Sequence, residues 1–215
     1  MTQTEFFIYL APIALISLTL HEYSHGYVAY LLGDDTAKRR GRLSFNPLRH
    51  LDPIGTLFII FFHFGWAKPV PVDPRNFSDP RKHMMFVALA GPAANLMIAL
   101  VGGFLLRMVF KDVENYVGLF DFFCVVVLIN VILALFNLLP FFPLDGSSIL
   151  KGLLPSTWAD RLANVDKYFA ILLIGIFIAD GFLKIGIFGG ILLKPVMFVV
   201  QFLTQEAFPA FLSRL

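Results

Sequence analysis

The stretch FFIYLAPIALISLTLHEYSH, residues 6–25, decides how this chain is read. Residues 6–20 are almost wholly apolar and read as the first part of a membrane span. Residues 21–25 then put two histidines and a glutamate where ionisable side chains are costly unless something compensates them. His21 and His25 are four residues apart, so on a helix they project from one face, one turn apart. That spacing lets two imidazoles grip one zinc ion while Glu22 stands beside it. The apolar run itself supplies the helix that the motif needs. A chance HExxH would leave three costly groups unexplained in one turn of a membrane helix.

Composition agrees with a membrane setting. Of 215 residues, 58% are hydrophobic and 25 are phenylalanine, and the mean hydropathy is +0.76, which together indicate a polytopic membrane protein. The net charge is only +2, and the basic residues lie in loops between apolar segments. They bear on orientation in the bilayer and not on nucleic acid, which is not an expected partner. The single cysteine, Cys124, lies in an apolar stretch, so no intramolecular disulfide forms and it reads as a small buried or lipid-facing hydrophobe. No Lys or Arg precedes the first apolar run and no small-x-small site ends it, so the segment reads as retained rather than cleaved.

Apolar spans are expected at residues 5–32, 83–109 and 117–139, with two more stretches, or one broken hairpin, in 165–204 around Asp180 and Gly181. Residues 54–66, IGTLFIIFFHFGW, are too short to cross a layer of roughly 30 Å as a helix, which needs about 20 residues. Lys38, Arg39, Arg40, Arg42 and Arg49 precede that stretch, and Lys68, Arg75, Arg81 and Lys82 follow it. The positive-inside rule puts both groups on the cytoplasmic side, so the stretch is expected to be re-entrant or tilted. The fold expected is an all-α polytopic membrane protein, a bundle of about five to six transmembrane helices with a short re-entrant or tilted segment at 54–66. One domain covers residues 1–215, with a catalytic core at about 5–146 and C-terminal helices at about 165–204.

A zinc site that retains an open position usually takes three protein ligands. The best source of a third is residues 137–146, NLLPFFPLDG, where Pro140 and Pro143 stop regular helix and Asp145 falls on the same side of the membrane as His21 and His25. Taken alone, Asp145 reads equally well as a turn residue before Gly146.

HEYSH in a first span, GPAAN (residues 91–95) in the next long span and NLLPFFPLDG resemble the signatures of the site-2 protease family of intramembrane zinc metalloproteases, peptidase family M50. Residues 46–58 and 65–76 resemble its small prokaryotic branch, and the resemblance runs from residue 5 to about 160. It implies a bundle of membrane helices, cleavage of peptide bonds in or near transmembrane segments, and one zinc held by His21, His25 and Asp145. The partners implied are a membrane-protein substrate helix and the lipid bilayer, with the active site toward the cytoplasmic side of a cell membrane. No PDZ or CBS domain, which larger relatives carry, fits in a chain of this length.

Glu22 then has the role of general base. Asn95 and Asn137 are candidate catalytic amides, either as donors to a developing oxyanion or as supports for substrate backbone, with interhelical hydrogen bonding as the plainer alternative. Asn130, one heptad before Asn137, joins the same polar patch. His63 reads as packing, His50 and His83 as solvated, and Asp52 as the cap of the 54–66 piece. Residues 41–45 and 67–73 are plausible strand edges for an unwound substrate, or plain interfacial loop. Two rival functions are a metal-ion carrier, which leaves Glu22 without a task, and an inert family member that binds membrane helices.

Overall fold

Within hydrocarbon every backbone N–H and C=O must be satisfied inside the protein, so a long apolar run has helix as its natural form. The computed structural model describes residues 3–55, 66–110, 115–183 and 186–213. Helix α1 spans Gln3–Leu31 and is followed by a short α2 at Thr36–Arg39. Then come α3 at Pro80–Val109, α4 at Val117–Asn137, α5 at Asp145–Leu153 and α6 at Ser156–Leu183. The last two are α7 at Ile187–Thr204 and α8 at Ala207–Leu212. The protein is all-helical, as expected. Among the described residues α1, α3 and α4 are long and apolar enough to cross a membrane, and residues 189–204 of α7 form a shorter apolar helix. The expected count of about five to six crossings therefore has to take in α6 and α7.

Helix α3 packs against both α1 and α4, which also touch each other. Lipid offers no hydrophobic drive for helix association, so close packing at small residues has to supply it. Gly102 faces Val126 and Val127 of α4, and Gly103 lies so close to α7 that an added Cβ would stand 3.0 Å from the Leu203 carbonyl oxygen. The buried core around these contacts joins Ile13, Ala99, Leu106, Phe120, Val125, Val131, Val200, Phe208 and Phe211, with Cys124 fully buried among them.

The C-terminal break differs from expectation. Helix α6 continues through Asp180 and Gly181 to Leu183, and the turn comes at Gly186, whose φ of 75° is left-handed. A glycine inside a helix is tolerated at modest cost, whereas a left-handed backbone position selects glycine outright.

Residues 56–65 lie outside the described residues, and with them most of the expected re-entrant piece and His63. Its described flanks are paired: Leu51 forms an antiparallel bridge with Ala67, and the Lys68 N–H donates to the His50 carbonyl at 2.8 Å. A single crossing would hold those flanks about 30 Å apart. Asp52 behaves as expected, its Oδ1 accepting from the N–H groups of Ile54 and Gly55 at 2.9 Å. His50, expected to be solvated, is buried at 1% exposure. The loop closes over it, and its Nε2 bonds the Ser44 carbonyl at 2.8 Å.

One carboxylate organises the loops at this end. Buried Asp34 accepts from the Thr36 hydroxyl and N–H, from the Asp73 N–H at 2.8 Å and from the Asn76 amide at 2.7 Å. Burial alone would raise its pKa, but these hydrogen bonds outweigh burial and hold it below the ordinary carboxylate value. Two outcomes follow. In a Cys124→Ser background, cysteines at positions 40 and 75 should be labelled from the same side of the membrane; labelling from opposite sides would contradict the pairing of the flanks. Asp34→Ala should lower stability by about 2–3 kcal/mol, measured by thermal unfolding in detergent near neutral pH. Because the folded pKa is lowered, the Asp34 contribution is present above the unfolded value of about 3.9 and fades as pH falls through the folded one, so parent and variant should converge in acid.

Candidate metal centre

At 1.5 Å per residue, His25 and His21 sit about 9 and 15 Å from the C-terminal end of α1. The helix presents them on one face as the spacing requires, with their rings 4.6 Å apart and nearly perpendicular. Their Nε2 atoms are 3.0 Å apart. Asp145 approaches from the opposite side: Oδ2 lies 3.1 Å from Nε2 of His21, and Oδ1 lies 3.3 Å from Nε2 of His25. Helix α4 ends at Asn137, irregular backbone runs through Pro140 and Pro143, and α5 begins with Asp145 itself. The chain folds back so tightly there that a Cβ on Gly146 would collide with the carbonyl oxygens of Leu138 and Leu139.

Protons on the two imidazoles are assigned by what lies behind them. His25 Nδ1 is 2.7 Å from the Val87 carbonyl, which can only accept, so Nδ1 carries the proton. His21 Nδ1 is 2.6 Å from Oδ1 of Asn95 and donates likewise. Both Nε2 lone pairs therefore point inward, toward each other and toward a carboxylate. The buried Oδ2 of Asp145 has no hydrogen-bond partner. Two imidazole lone pairs and the two oxygens of one carboxylate facing one another are unfavourable without a cation among them. Their separations of 3.0, 3.1 and 3.3 Å are close to the roughly 3.3 Å at which a tetrahedral ion with bonds of about 2.0–2.1 Å spaces its ligands. The donor set of two nitrogens and a carboxylate, each imidazole backed by an acceptor, suits zinc.

Room for the centre is made by α3. A Cβ at Gly91 would stand 2.5 Å from Nε2 of His21 and of His25, so any larger residue there would fill the space between α3 and the two rings. Glu22 is half-buried and offers a ligand atom within 4.8 Å of those of both histidines. Its Oε2 accepts from the Val70 N–H at 2.8 Å.

The fold thus gathers His21, Glu22, His25, Asp145 and Asn95. Asn95 turns its oxygen to His21 and its Nδ2 to Oδ1 of Asn130 at 2.9 Å. The Asn137 amide donates to the Leu133 carbonyl of its own helix at 2.9 Å. Sequence reasoning had missed Gly91, the Val87 carbonyl, the Val70 N–H and Ser17. Two of these carried a signal: Ser17 lies one turn before His21, and Gly91 is the smallest residue of GPAAN.

A family model described as peptidase family M50 matches residues 108–179, which include Asp145. The chain is also 42% identical over 175 residues to "Putative zinc metalloprotease YwhC" of Bacillus subtilis, covering 79% of this chain and 80% of that relative. The chain belongs to peptidase family M50. A Rip2 protein of Mycobacterium tuberculosis, whose name carries the same description as YwhC, is 27% identical over 170 residues, 77% of this chain and 64% of its own. "Zinc metalloprotease MJ0392" of Methanocaldococcus jannaschii is 26% identical over 179 residues, 81% of this chain and 44% of its own. No solved structure matches. This M50 protein is a membrane-embedded, zinc-dependent metalloprotease, in keeping with the resemblance drawn from HEYSH, GPAAN and NLLPFFPLDG.

The bare face of Gly91 gives a direct test of the centre. Gly91→Ala should weaken zinc binding, measured by chelator competition, by at least the 10- to 100-fold typical of a damaged supporting contact. Ala93→Gly, two residues along α3, should bind zinc within about twofold of the parent, allowing for the usual cost of helix glycine.

Proposed function

We propose that this chain hydrolyses peptide bonds within or next to transmembrane segments of membrane-protein substrates. One zinc per chain is held by His21, His25 and Asp145, and the active site opens toward the cytoplasmic side of a cell membrane. The observation that carries this reading is the convergence of two inward-facing imidazole nitrogens and an unpartnered carboxylate oxygen beside Glu22, recessed within a bundle of apolar helices. The basic loops beside the site favour the cytoplasmic orientation.

Zinc in such a site supplies a Lewis acid for the scissile carbonyl and lowers the pKa of water to about 7. The chain supplies the rest. Glu22 takes a proton from the attacking water and passes it to the leaving amine. Its carboxylate is oriented for this by the Val70 N–H on Oε2, which leaves Oε1 for the proton. Val70 lies between Pro69 and Pro71, which have no N–H and keep the backbone from coiling, so Val70 is the donor that this extended piece has to give. Gly26 lets the segment come close, since a Cβ there would stand 3.0 Å from Cγ1 of Val70. Of the two asparagines considered for the oxyanion, Asn95 has both ends of its amide engaged. Among the described residues Asn137 is bonded to a carbonyl of its own helix alone, which favours it as the donor.

Glu22→Gln separates a protease from a carrier. The amide keeps the shape but cannot accept the water proton, so zinc content and fold should persist while cleavage of a membrane-anchored substrate in liposomes falls by about 10²–10⁴-fold. Cleavage at the parental rate would remove Glu22 from the mechanism, and loss of zinc would make it a ligand.

A further inference from the structure

We propose that Asn130 and Ser17 are positioning residues for His21. Through Asn95 they form a one-way chain of hydrogen-bond donors that keeps the His21 proton on Nδ1 and its lone pair on Nε2. The proposal rests on the ligand set given above and adds to it residues that touch neither metal nor ligand. It is carried by four buried groups on three helices. Asn95 and Asn130 are 0% exposed and Ser17 is 3% exposed, so no solvent is at hand to replace a lost partner.

The direction of the chain follows from its far end. Asn130 Nδ2 is 2.9 Å from the Val126 carbonyl, an atom that can only accept. Turning the Asn130 amide over would set oxygen against oxygen, so the nitrogen must face Val126, where it also meets Ser17 Oγ at 2.9 Å. Asn130 Oδ1 is then left to accept from Asn95 Nδ2 at 2.9 Å. The main-chain carbonyl of Ser17, 3.5 Å from the same nitrogen, favours that orientation. Asn95 Oδ1 is accordingly turned to His21, and only a protonated Nδ1 can donate to it at 2.6 Å. A neutral imidazole has one proton, so Nε2 is left as the base. A backbone carbonyl in α4 thus decides which His21 nitrogen faces Asp145, three residues removed from the ligand. Ser17 precedes His21 by one turn of α1, which closes the path into a ring through α1, α3 and α4. His25 needs no such relay because its Nδ1 meets a carbonyl directly.

A purely structural role would make these amides interhelical glue, and the test must read something that glue does not move. The full chain in detergent is assayed for zinc affinity by chelator competition, for the visible spectrum of its cobalt(II) form, and for thermal unfolding without metal. Asn130→Leu should lower metal affinity by about 10-fold, within the range known for outer partners of metal ligands, and should shift the cobalt bands. Ser17→Ala, which leaves Val126 in place, should lower affinity by about threefold. In an Asn95→Leu background, adding Asn130→Leu should change affinity no further, because Asn130 acts only through Asn95. Parental affinity and spectrum in both single variants, whatever happens to apo unfolding, would overturn the proposal. If Asn130→Leu does not fold, Ser17→Ala decides by the same criterion. Failure of the parent chain to bind zinc or cobalt would instead sink the ligand set itself.

Discussion

The close approach of α3 to α1 at Gly91 is the constraint on which the rest of the site depends. Residues 87, 91 and 95 recur every fourth position and so share one face of α3. That face carries a carbonyl for His25, a bare glycine where the two rings meet, and an amide for His21. The facing stripe of α1 carries Ser17, His21 and His25 at the same period. Two stripes of matching pitch therefore bring five polar groups together inside an apolar bundle; His21 and His25 find partners across the interface, and the Ser17 hydroxyl finds one on α4. Polar groups at such depth are tolerable only on that condition.

Asp145 reaches the centre from irregular backbone, and α5 has to be fixed for it to stay there. Gly152 packs directly against Met85 of α3. On the other side Lys151 pairs with Asp166 of α6 at 2.5 Å, with Ser147 Oγ 3.5 Å from the same carboxylate group. A short helix that begins on Asp145 is thereby held between two long ones. Of the non-helical residues before it, Leu144 is buried and Leu138 and Leu139 are half-buried, while residues 140–143 are exposed.

The loops are linked to the chemistry through one path. Asp34 ties residues 73–76 to the end of α1, residues 67–73 run back from that anchor over Gly26, and Val70 delivers its N–H to Glu22. Orientation of the Glu22 carboxylate is therefore a property of the loop fold as well as of α1. The pairing of residues 50–51 with residues 67–68 closes the other end of the same unit.

The sequence by itself determined the membrane class, the three long helices to within a few residues, and the pairing of His21 with His25 one turn apart. These depend on local properties: hydropathy over about 20 residues and the 3.6-residue period. The end of α4 before Pro140 was also signalled, because prolines end helices from the covalent structure alone. Tertiary structure decided everything that needed a second chain segment. Asn95 and Asn137 looked alike in sequence, each an amide in an apolar span, yet one faces His21 and the other its own helix, because only the first lies on the α3 stripe that meets α1. His50 read as a solvated loop residue until the loop closed over it. The C-terminal break fell at Gly186 rather than at Asp180 and Gly181, where backbone conformation and not composition set the turn. Side-chain roles in a membrane bundle are fixed by which polar group can satisfy which, and that matching exists only once the helices are in contact.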